Sequence, residues 1–263
     1  MLLEGKAAIV TGAGSGIGNG IAKRFAKEGC AVALVDIDRA AAEKAAAEIA
    51  HERGQAVAIE CDVTQEASVK EAVNAAIAAF TTVDIMVNNA GAAGVSYPIE
   101  ELPEEIWDRT QALNLKSQYF FCKYVVPGMK EKRYGKIINL SSIGAIQPPA
   151  HHIAYNTAKA AIIGFTYDLA TALAPYGINV NAIVPGPVRT SFYDRTTGTM
   201  TEPEKDGFFA NLGRKTPMQR PGTPDDLAGA ALFLASELGA YVTGHALYVT
   251  GGLPLLPPPA PPR

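Results

Sequence analysis

The sequence predicts a doubly wound α/β fold, in which about seven parallel strands carry helices on both faces. Short runs rich in Val and Ile alternate with longer, Ala-rich amphipathic segments along nearly all of the 263 residues. The short runs lack clean polar alternation, which is typical of strands buried on both faces. Alternation of strand and helix predicts a parallel sheet, because right-handed crossovers place a helix between successive strands.

The predicted strands are residues 7–11, 31–35, 56–60, 84–87, 136–140, 179–184 and 246–249. The predicted helices are residues 17–28, 39–53, 65–80, 103–131, 154–174 and 225–236. Residues 185–224 are expected to be irregular, and so long a connection inside a compact domain is usually functional, often a lid. These boundaries predict one domain over residues 1–252, with residues 190–215 as a substrate loop or lid.

The last eleven residues, LPLLPPPAPPR, form a proline-rich tail at positions 253–263. Proline at this density favours extended polyproline II structure, either exposed or lying along a partner. A disordered tail is an equally good interpretation of the same composition.

Composition excludes several classes of function. The net charge of −3 argues against nucleic-acid binding, which usually needs a basic patch. No uninterrupted apolar run reaches the length of a membrane span, and the first residues do not resemble a secretory signal. Three scattered cysteines, Cys30, Cys61 and Cys122, suit a reduced, cytoplasmic setting, and no His/Cys cluster has the spacing of metal ligands.

A glycine-rich turn, VTGAGSGIG at residues 10–18, joins the first strand to the first helix. Gly12, Gly16 and Gly18, with Ser15 and Ile17 between them, allow the backbone to approach a pyrophosphate at the amino end of that helix. The spacing differs from the usual G-x-G-x-x-G pattern, so a tight turn without a ligand is the alternative.

Asp36 follows the second strand, 18 residues after Gly18, with Ile37 beside it. A carboxylate at this distance is placed to accept hydrogen bonds from an adenosine ribose, and it would repel a 2′-phosphate. No cation stands at Ser15 to offset that repulsion, so we expect NAD to be preferred over NADP. Asp36 could instead cap the next helix, but Asp38 could fill that role.

Tyr155 and Lys159 are four residues apart in AYNTAKAA and therefore share one face of a predicted helix. The pair could be an ordinary solvated helix face or a catalytic acid beside a fixed cation. A phenol has an ordinary pKa of about 10. One cation at about 4 Å and an effective dielectric of about 20 stabilises phenolate by about 4 kcal/mol, and a positively charged nicotinamide would add to this. We therefore expect the pKa of Tyr155 to be lowered toward neutrality.

An ordered set of motifs now resembles the classical short-chain dehydrogenases/reductases, over residues 6–252. The matching motifs are Thr11-Gly12-x-x-x-Gly16-x-Gly18, Asp62 in CDV, Asn88-Asn89-Ala90-Gly91, Asn114, Ser142 in INLSS, Tyr155-x-x-x-Lys159 and PGPVRT at 185–190. The resemblance implies a Rossmann fold, NAD as cofactor, and a homo-oligomer, either a tetramer or a dimer.

The resemblance also implies residue roles. Adenine contacts would come from Asp62 and Val63, the turn flanking the cofactor from Asn88, Ala90 and Gly91, and the nicotinamide segment from Pro185, Gly186, Val188 and Thr190. The catalytic tetrad would be Asn114, Ser142, Tyr155 and Lys159: Ser142 holds the substrate oxygen, Lys159 also binds the nicotinamide ribose, and Asn114 holds a water of the proton path. Each of the four, taken singly, also has an ordinary structural explanation; their order and spacing favour the tetrad.

Three places depart from the family pattern. Thr250 stands where Asp is common, Thr81-Thr82 stand where Gly is usual, and the tail extends past the usual end.

We expect the substrate pocket to be lined by residues 92–97, 143–153 and 187–213, including Gly144, His152 and Pro187. For His152, however, a position at the start of the helix that faces solvent is the favoured interpretation.

The sequence therefore predicts an NAD(H)-dependent oxidoreductase that acts on a secondary alcohol or its ketone, with no nucleic acid or membrane as partner. One alternative is a non-catalytic dinucleotide sensor or scaffold whose proline-rich tail recruits a partner. Another is a sugar-nucleotide epimerase or dehydratase, which the glycine spacing and the chain length disfavour.

Overall fold

The computed structural model of the protein describes residues 1–193 and 198–255. Its strands are β1 (Ala7–Thr11), β2 (Ala31–Asp36), β3 (Ala56–Glu60), β4 (Ile85–Asn88), β5 (Gly135–Leu140), β6 (Ile178–Pro185) and β7 (Ala246–Val249). Its helices are α1 (Gly16–Lys27), α2 (Arg39–His51), α3 (Glu66–Phe80), α4 (Glu104–Gln111), α5 (Ser117–Lys132), α6 (Ile153–Leu173), α7 (Glu202–Arg214) and α8 (Pro224–Ala235).

The seven strands form one parallel sheet in the order β3-β2-β1-β4-β5-β6-β7. The order reverses between β1 and β4, and in open α/β sheets the crevice at such a reversal is where ligands bind. The predicted doubly wound fold is confirmed. All seven predicted strands are present, with boundaries that differ by no more than one residue.

Two apolar layers cover the sheet. One face packs against α1, α2 and α8 through side chains such as Phe25, Ile49 and Leu227. The other packs against α3, α5 and α6 through Val69, Phe121 and Leu173. Strand β1 is buried along its whole length, which explains why its sequence shows no polar alternation.

The single helix predicted over residues 103–131 is wrong. A π-turn over Ala112–Lys116 separates α4 from α5. A π-turn adds one residue to a helical turn, and such insertions are frequent at functional sites. Asn114 lies in the middle of this turn.

The expectation that residues 185–224 are irregular is also wrong, because α7 lies within them. Thr201 begins α7 with a capping box: the hydroxyl and backbone N–H of Thr201 both donate to the Glu204 carboxylate. Thr-x-x-Glu is a sequence signature of a helix start, so this helix was predictable from TEPE. Residues 194–197 of the predicted lid and 256–263 of the proline-rich tail lie outside the described residues.

The described helices include none whose length and hydropathy would let it cross a membrane.

Thr81, one of the residues that stand where the family usually has glycine, ends α3 in a left-handed conformation with φ of 68°. Its N–H donates to the Ile77 carbonyl at 2.7 Å, so the conformation closes the last turn of the helix. A β-branched residue is strained at positive φ, whereas glycine adopts that region freely.

We expect Thr81→Gly to raise the free energy of unfolding by about 0.5–1 kcal/mol, because relief of left-handed strain exceeds the entropy that glycine adds to the unfolded chain. Urea unfolding measures the change. Thr81→Ala is the control, since it keeps a Cβ and should gain less. A glycine variant no more stable than the alanine variant would contradict the strain at Thr81.

Candidate active site

The glycine turn lies at the carboxyl end of β1, in the crevice where the strand order reverses. Gly12 has φ of 63°, and a Cβ there would come within 2.9 Å of Asn89 Nδ2 and 3.1 Å of Ala90 Cα. Gly12 therefore allows the turn after β1 to lie directly on the turn after β4, and Ile17 packs against the core beneath it. Helix α1 begins at Gly16, so its free N–H groups face the same crevice.

Thr11 and Asn89 tie the two turns together, although the sequence analysis gave neither of them a role. The Thr11 hydroxyl accepts the backbone N–H groups of Asn89 and Ala90 at 2.9 and 3.0 Å. The Asn89 amide donates to the carbonyls of Thr11 and Gly12 at 2.8 and 3.2 Å. Both residues belong to motifs found in the sequence: Thr11 precedes Gly12 in the glycine turn, and Asn89 is the second Asn of NNAG. These motifs could have indicated their role.

Asp36 lies at the end of β2 beside the glycine turn. Its carboxylate accepts the backbone N–H of Gly14 at 2.8 Å and that of Asp38 at 3.0 Å. Asp38 caps α2 by accepting the Ala41 N–H, as predicted, so Asp36 is not the cap. The two hydrogen bonds that Asp36 accepts from the protein still leave lone pairs on its carboxylate for further donors.

Arg39, the cation closest to Asp36 in sequence, forms an ion pair with Glu43. Arg39 begins α2, and its guanidinium pairs with Glu43 at 2.7 Å. The pairing holds the Arg39 cation on the surface of the helix. Ile37 is 69% exposed beside Asp36, so its side chain is open to a flat apolar partner.

The remaining predicted cofactor residues border the crevice from the ends of β3, β4 and β6. Asp62 shapes the turn after β3 by accepting the Thr64 hydroxyl at 2.7 Å, and Val63 is buried beneath it. The Asn88 side chain points away from the cleft, because its amide donates to Asn139 Oδ1 in the core at 2.9 Å. Only the backbone of Asn88 is left to face a cofactor.

The segment after β6 is held against both the core and the glycine turn. The N–H of Gly186 donates to the Val249 carbonyl at the end of β7, next to Pro185. Val188 is buried, and a Cβ on Gly16 would meet Thr190 at 3.4 Å. The hydroxyls of Ser15 and Ser191 lie 3.0 Å apart, so Ser191, within the range expected to line the substrate pocket, also borders the glycine turn.

Ser142, Tyr155 and Lys159 converge at the carboxyl end of β5. The Ser142 hydroxyl is hydrogen-bonded to the Tyr155 phenol and also accepts the Gly144 N–H at 3.1 Å. Lys159 lies one helical turn after Tyr155, with its ammonium 5.6 Å from the centre of the phenol ring. That ammonium donates to the Leu140 carbonyl at 2.9 Å and is 4% exposed.

Asn114 is completely buried in the π-turn and faces the same cleft. Its amide donates to the carbonyls of Ala92 and Thr110, each at 3.0 Å. A Cβ on Gly91 would lie 2.6 Å from Asn114 Oδ1 and 3.2 Å from Lys159 Nζ. Because Gly91 has no side chain, no Cβ lies between Asn114 Oδ1 and Lys159 Nζ.

Burial sets the proton affinities of the central pair. It raises the pKa of Tyr155 to about 12, although the hydrogen bond from Ser142 works in the other direction. It lowers the pKa of Lys159 to about 7. The expected lowering of the Tyr155 pKa is therefore wrong for the chain by itself, because the cost of placing phenolate in the cleft exceeds what the protein's own groups supply.

The three predicted substrate residues have different surroundings. His152 precedes α6, and its Nδ1 is buried with no hydrogen-bond partner among the described residues. Gly144 packs against Asn156, whose Oδ1 is also buried without a described partner and would lie 2.6 Å from a Cβ on Gly144. Pro187 accepts the Gly222 N–H through its carbonyl.

An aromatic cluster adjoins Tyr155, and its members lie within residues 187–213, which were expected to line the substrate pocket. The Phe192 ring lies 6.1 Å from that of Tyr155 and 5.4 Å from that of Tyr193. Tyr193 contacts Phe208 and Phe209 of α7 edge-on, both at 5.6 Å. Phe192 is 45% exposed, so an aromatic face borders the open side of the site.

The arrangement fits a dinucleotide. The glycine turn and the amino end of α1 can receive a pyrophosphate, Asp36 can receive ribose hydroxyls, and the buried Lys159 ammonium can meet a second ribose. A Cβ at Gly12 would collide with Asn89 and Ala90, so glycine at this position keeps together the two turns that would hold such a ligand.

Fold and site together define a class of protein, the short-chain dehydrogenases/reductases. The chain belongs to this family: a family model described as enoyl-(acyl carrier protein) reductase matches residues 12–254.

Individual relatives match almost end to end. D-threitol dehydrogenase of Mycolicibacterium smegmatis is 38% identical over 95% of this chain and 93% of its own. L-rhamnose 1-dehydrogenase (NAD(P)(+)) of Azotobacter vinelandii is 38% identical over 96% and 98%. The structure of 3-ketoacyl-(acyl-carrier-protein) reductase from Brucella melitensis complexed with NADH superposes with a TM-score of 0.87, at 39% identity over 96% of this chain and all of the other.

The lowered pKa of Lys159 predicts a pH-dependent stability. Between about pH 7 and about pH 10.4, the ordinary pKa of lysine, the unfolded chain holds a proton that the folded chain has lost. The contribution of Lys159 to the free energy of unfolding therefore rises with pH across this window. Relative to Lys159→Met, the wild type should gain stability as pH rises from 7 to 10.

Urea unfolding without cofactor, from pH 6 to pH 10, tests this expectation. Lys123→Met is the control, because Lys123 is exposed and paired with Glu66, which raises its pKa. Its stability difference from wild type should be flat below pH 10. A flat difference for Lys159→Met as well would show that the buried ammonium keeps an ordinary pKa.

Proposed function

We propose that the protein is an NAD(H)-dependent oxidoreductase that transfers a hydride between the nicotinamide and a secondary alcohol or ketone, with Tyr155 as general acid/base. The observation that carries this proposal is the convergence of Ser142, Tyr155 and Lys159 at the end of β5, beside a crevice that fits a dinucleotide. The bound nicotinamide would supply the hydride acceptor or donor.

Ser142 and Tyr155 would act on the substrate oxygen. The Ser142 hydroxyl is anchored by the Gly144 N–H and reaches the phenol, so an alcohol or carbonyl oxygen between them would meet two hydroxyls. In ketone reduction, Tyr155 Oη gives its proton to the oxygen as the carbon receives hydride. In alcohol oxidation the same atom takes the hydroxyl proton.

Lys159 would stabilise the Tyr155 phenolate and return a proton to it. Its ammonium lies beside the Tyr155 ring, and a protonated Lys159 favours phenolate by Coulombic attraction. Its pKa of about 7 allows it to exchange a proton near neutrality. Asn114, across the gap at Gly91, would hold the water through which that proton reaches solvent.

Asp36 supports NAD over NADP as the cofactor. A 2′-phosphate beside this carboxylate would be repelled, and the Arg39 cation that could offset the repulsion is paired with Glu43.

We propose further a cytoplasmic homo-oligomer, a dimer or tetramer, in which residues 190–215 serve as the substrate lid. Exposed aromatic side chains on α5 and α6, Tyr119 and Tyr167, are consistent with subunit contact.

We expect Tyr155→Phe to reduce kcat at least 100-fold, because the ring remains while the transferable proton is lost. NADH binding, followed by fluorescence titration, should stay within a few fold of wild type. A panel of secondary alcohols, sugar alcohols, hydroxysteroids and hydroxyacyl thioesters supplies the substrate. Tyr167→Phe is the control, an exposed tyrosine on the same helix, and should keep full activity. Wild-type turnover by Tyr155→Phe would refute the proposed role.

Asp36→Asn removes the charge but keeps an oxygen acceptor. We expect the ratio of kcat/KM for NAD⁺ to that for NADP⁺ to fall at least tenfold, since each tenfold corresponds to about 1.4 kcal/mol of lost repulsion. Asp38→Ala is the control, because it removes the cap of α2 and should leave this ratio unchanged. An unchanged ratio in Asp36→Asn would rule out Asp36 as the selecting charge.

A further inference from the structure

Gln118 is a buried polar residue of α5 that the proposed mechanism does not use. It is 1% exposed, and its side-chain amide donates to the backbone carbonyl of Asn114 at 3.1 Å. The same face of α5 also carries Cys122, whose sulfur lies 3.6 Å from Asn88 Nδ2. Gln118 therefore lies between the catalytic π-turn and the polar interior next to β4.

The backbone carbonyl of Asn114, which accepts this hydrogen bond, lies in the π-turn. In a regular helix a carbonyl is taken by the backbone N–H four residues later, whereas a π-turn changes that pairing locally. Here a side-chain amide, that of the residue four positions later, donates to the Asn114 carbonyl. The Asn114 side chain is fixed from the other side by Ala92 and Thr110.

Gln118 also carries an oxygen that the fold leaves without a protein donor. Gln118 Oε1 is fully buried and has no hydrogen-bond partner among residues 1–193 and 198–255. Asn114 Oδ1 and Asn88 Oδ1 are likewise buried without a hydrogen-bond partner among those residues. A buried carboxamide with an unmet acceptor costs free energy that an apolar side chain of the same shape would avoid. The polar group at position 118 therefore calls for a reason other than packing.

We propose that Gln118 is a positioning residue for the proton path, and this rests on the proposed function. Its amide donor fixes the orientation of the Asn114 carbonyl, and its Oε1 offers a second acceptor beside it. Asn114 and Lys159 face each other across Gly91. The orientation of Asn114 therefore decides how its side chain is placed relative to the Lys159 ammonium, the group that exchanges the proton. Gln118 touches neither substrate nor cofactor in this arrangement.

Gln118→Met tests the proposal, since it keeps the shape and removes both polar atoms. We expect kcat to fall roughly tenfold, a part of what general acid–base catalysis contributes, with KM for substrate and cofactor unchanged. The solvent deuterium isotope effect on kcat should grow and the pH profile of kcat should shift, because proton transfer becomes slower than in wild type.

Ser117→Ala is the matched control. The Ser117 hydroxyl donates to the Leu113 carbonyl four residues earlier, at 2.6 Å, so this variant removes a similar buried bond without touching Asn114. It should keep the wild-type isotope effect and pH profile. If Gln118→Met keeps both as well, whatever its kcat or stability, the positioning role is refuted.

Gln118→Glu gives an independent arm should the methionine variant fold poorly. A neutral carboxyl group can still donate to the Asn114 carbonyl, whereas the carboxylate cannot. The kcat of this variant should therefore fall with rising pH through an ionisation that wild type lacks, and a wild-type profile would overturn the proposal. Activity in Tyr155→Phe would instead refute the proposed function itself, so the two failures are distinguishable.

Discussion

The buried ammonium of Lys159 is the constraint on which the rest of the site depends. It is held by the Leu140 carbonyl at the end of β5, and its proton affinity is lowered by burial. A cation in such a place needs oxygen acceptors around it, and the neighbouring groups supply them or leave room for them. Gly91 leaves that room, and Asn114 borders it with an oxygen.

The sheet brings these groups together because its order, not the chain order, decides which strand ends are neighbours. Strands β1, β4 and β5 lie side by side, so the glycine turn, the NNAG turn and Ser142 meet along one edge although they are far apart in sequence. Thr11 and Asn89 then join the first two turns by four hydrogen bonds. The crevice is therefore formed by turns whose positions the parallel sheet sets and which these two side chains hold to each other's backbone.

The strands were predictable because a buried parallel strand has a distinctive apolar run, and the motif residues were predictable because they follow those strands. The π-turn at Asn114 was not, since the residues on both sides of it are helical, in α4 and α5, and the sequence offers no capping or breaking signal between them. Helix α7 was missed despite the Thr201 capping box. The Asp36 contacts with Gly14 and Asp38 depend on how a turn folds back, which local sequence does not encode.

The direction in which the Tyr155 pKa is shifted shows why the pattern Tyr-x-x-x-Lys alone was a poor guide to proton affinity. The i, i+4 spacing places the cation near the ring, but it says nothing of burial, and burial acts on both groups in the direction of their neutral forms. Near neutral pH the phenol keeps its proton while Lys159 is close to half-protonated. In the proposed mechanism the group that exchanges protons with solvent would then be Lys159, and Tyr155 would pass a proton to the substrate. Such a division requires a path from Lys159 outward, which gives Asn114 and the π-turn around it their importance.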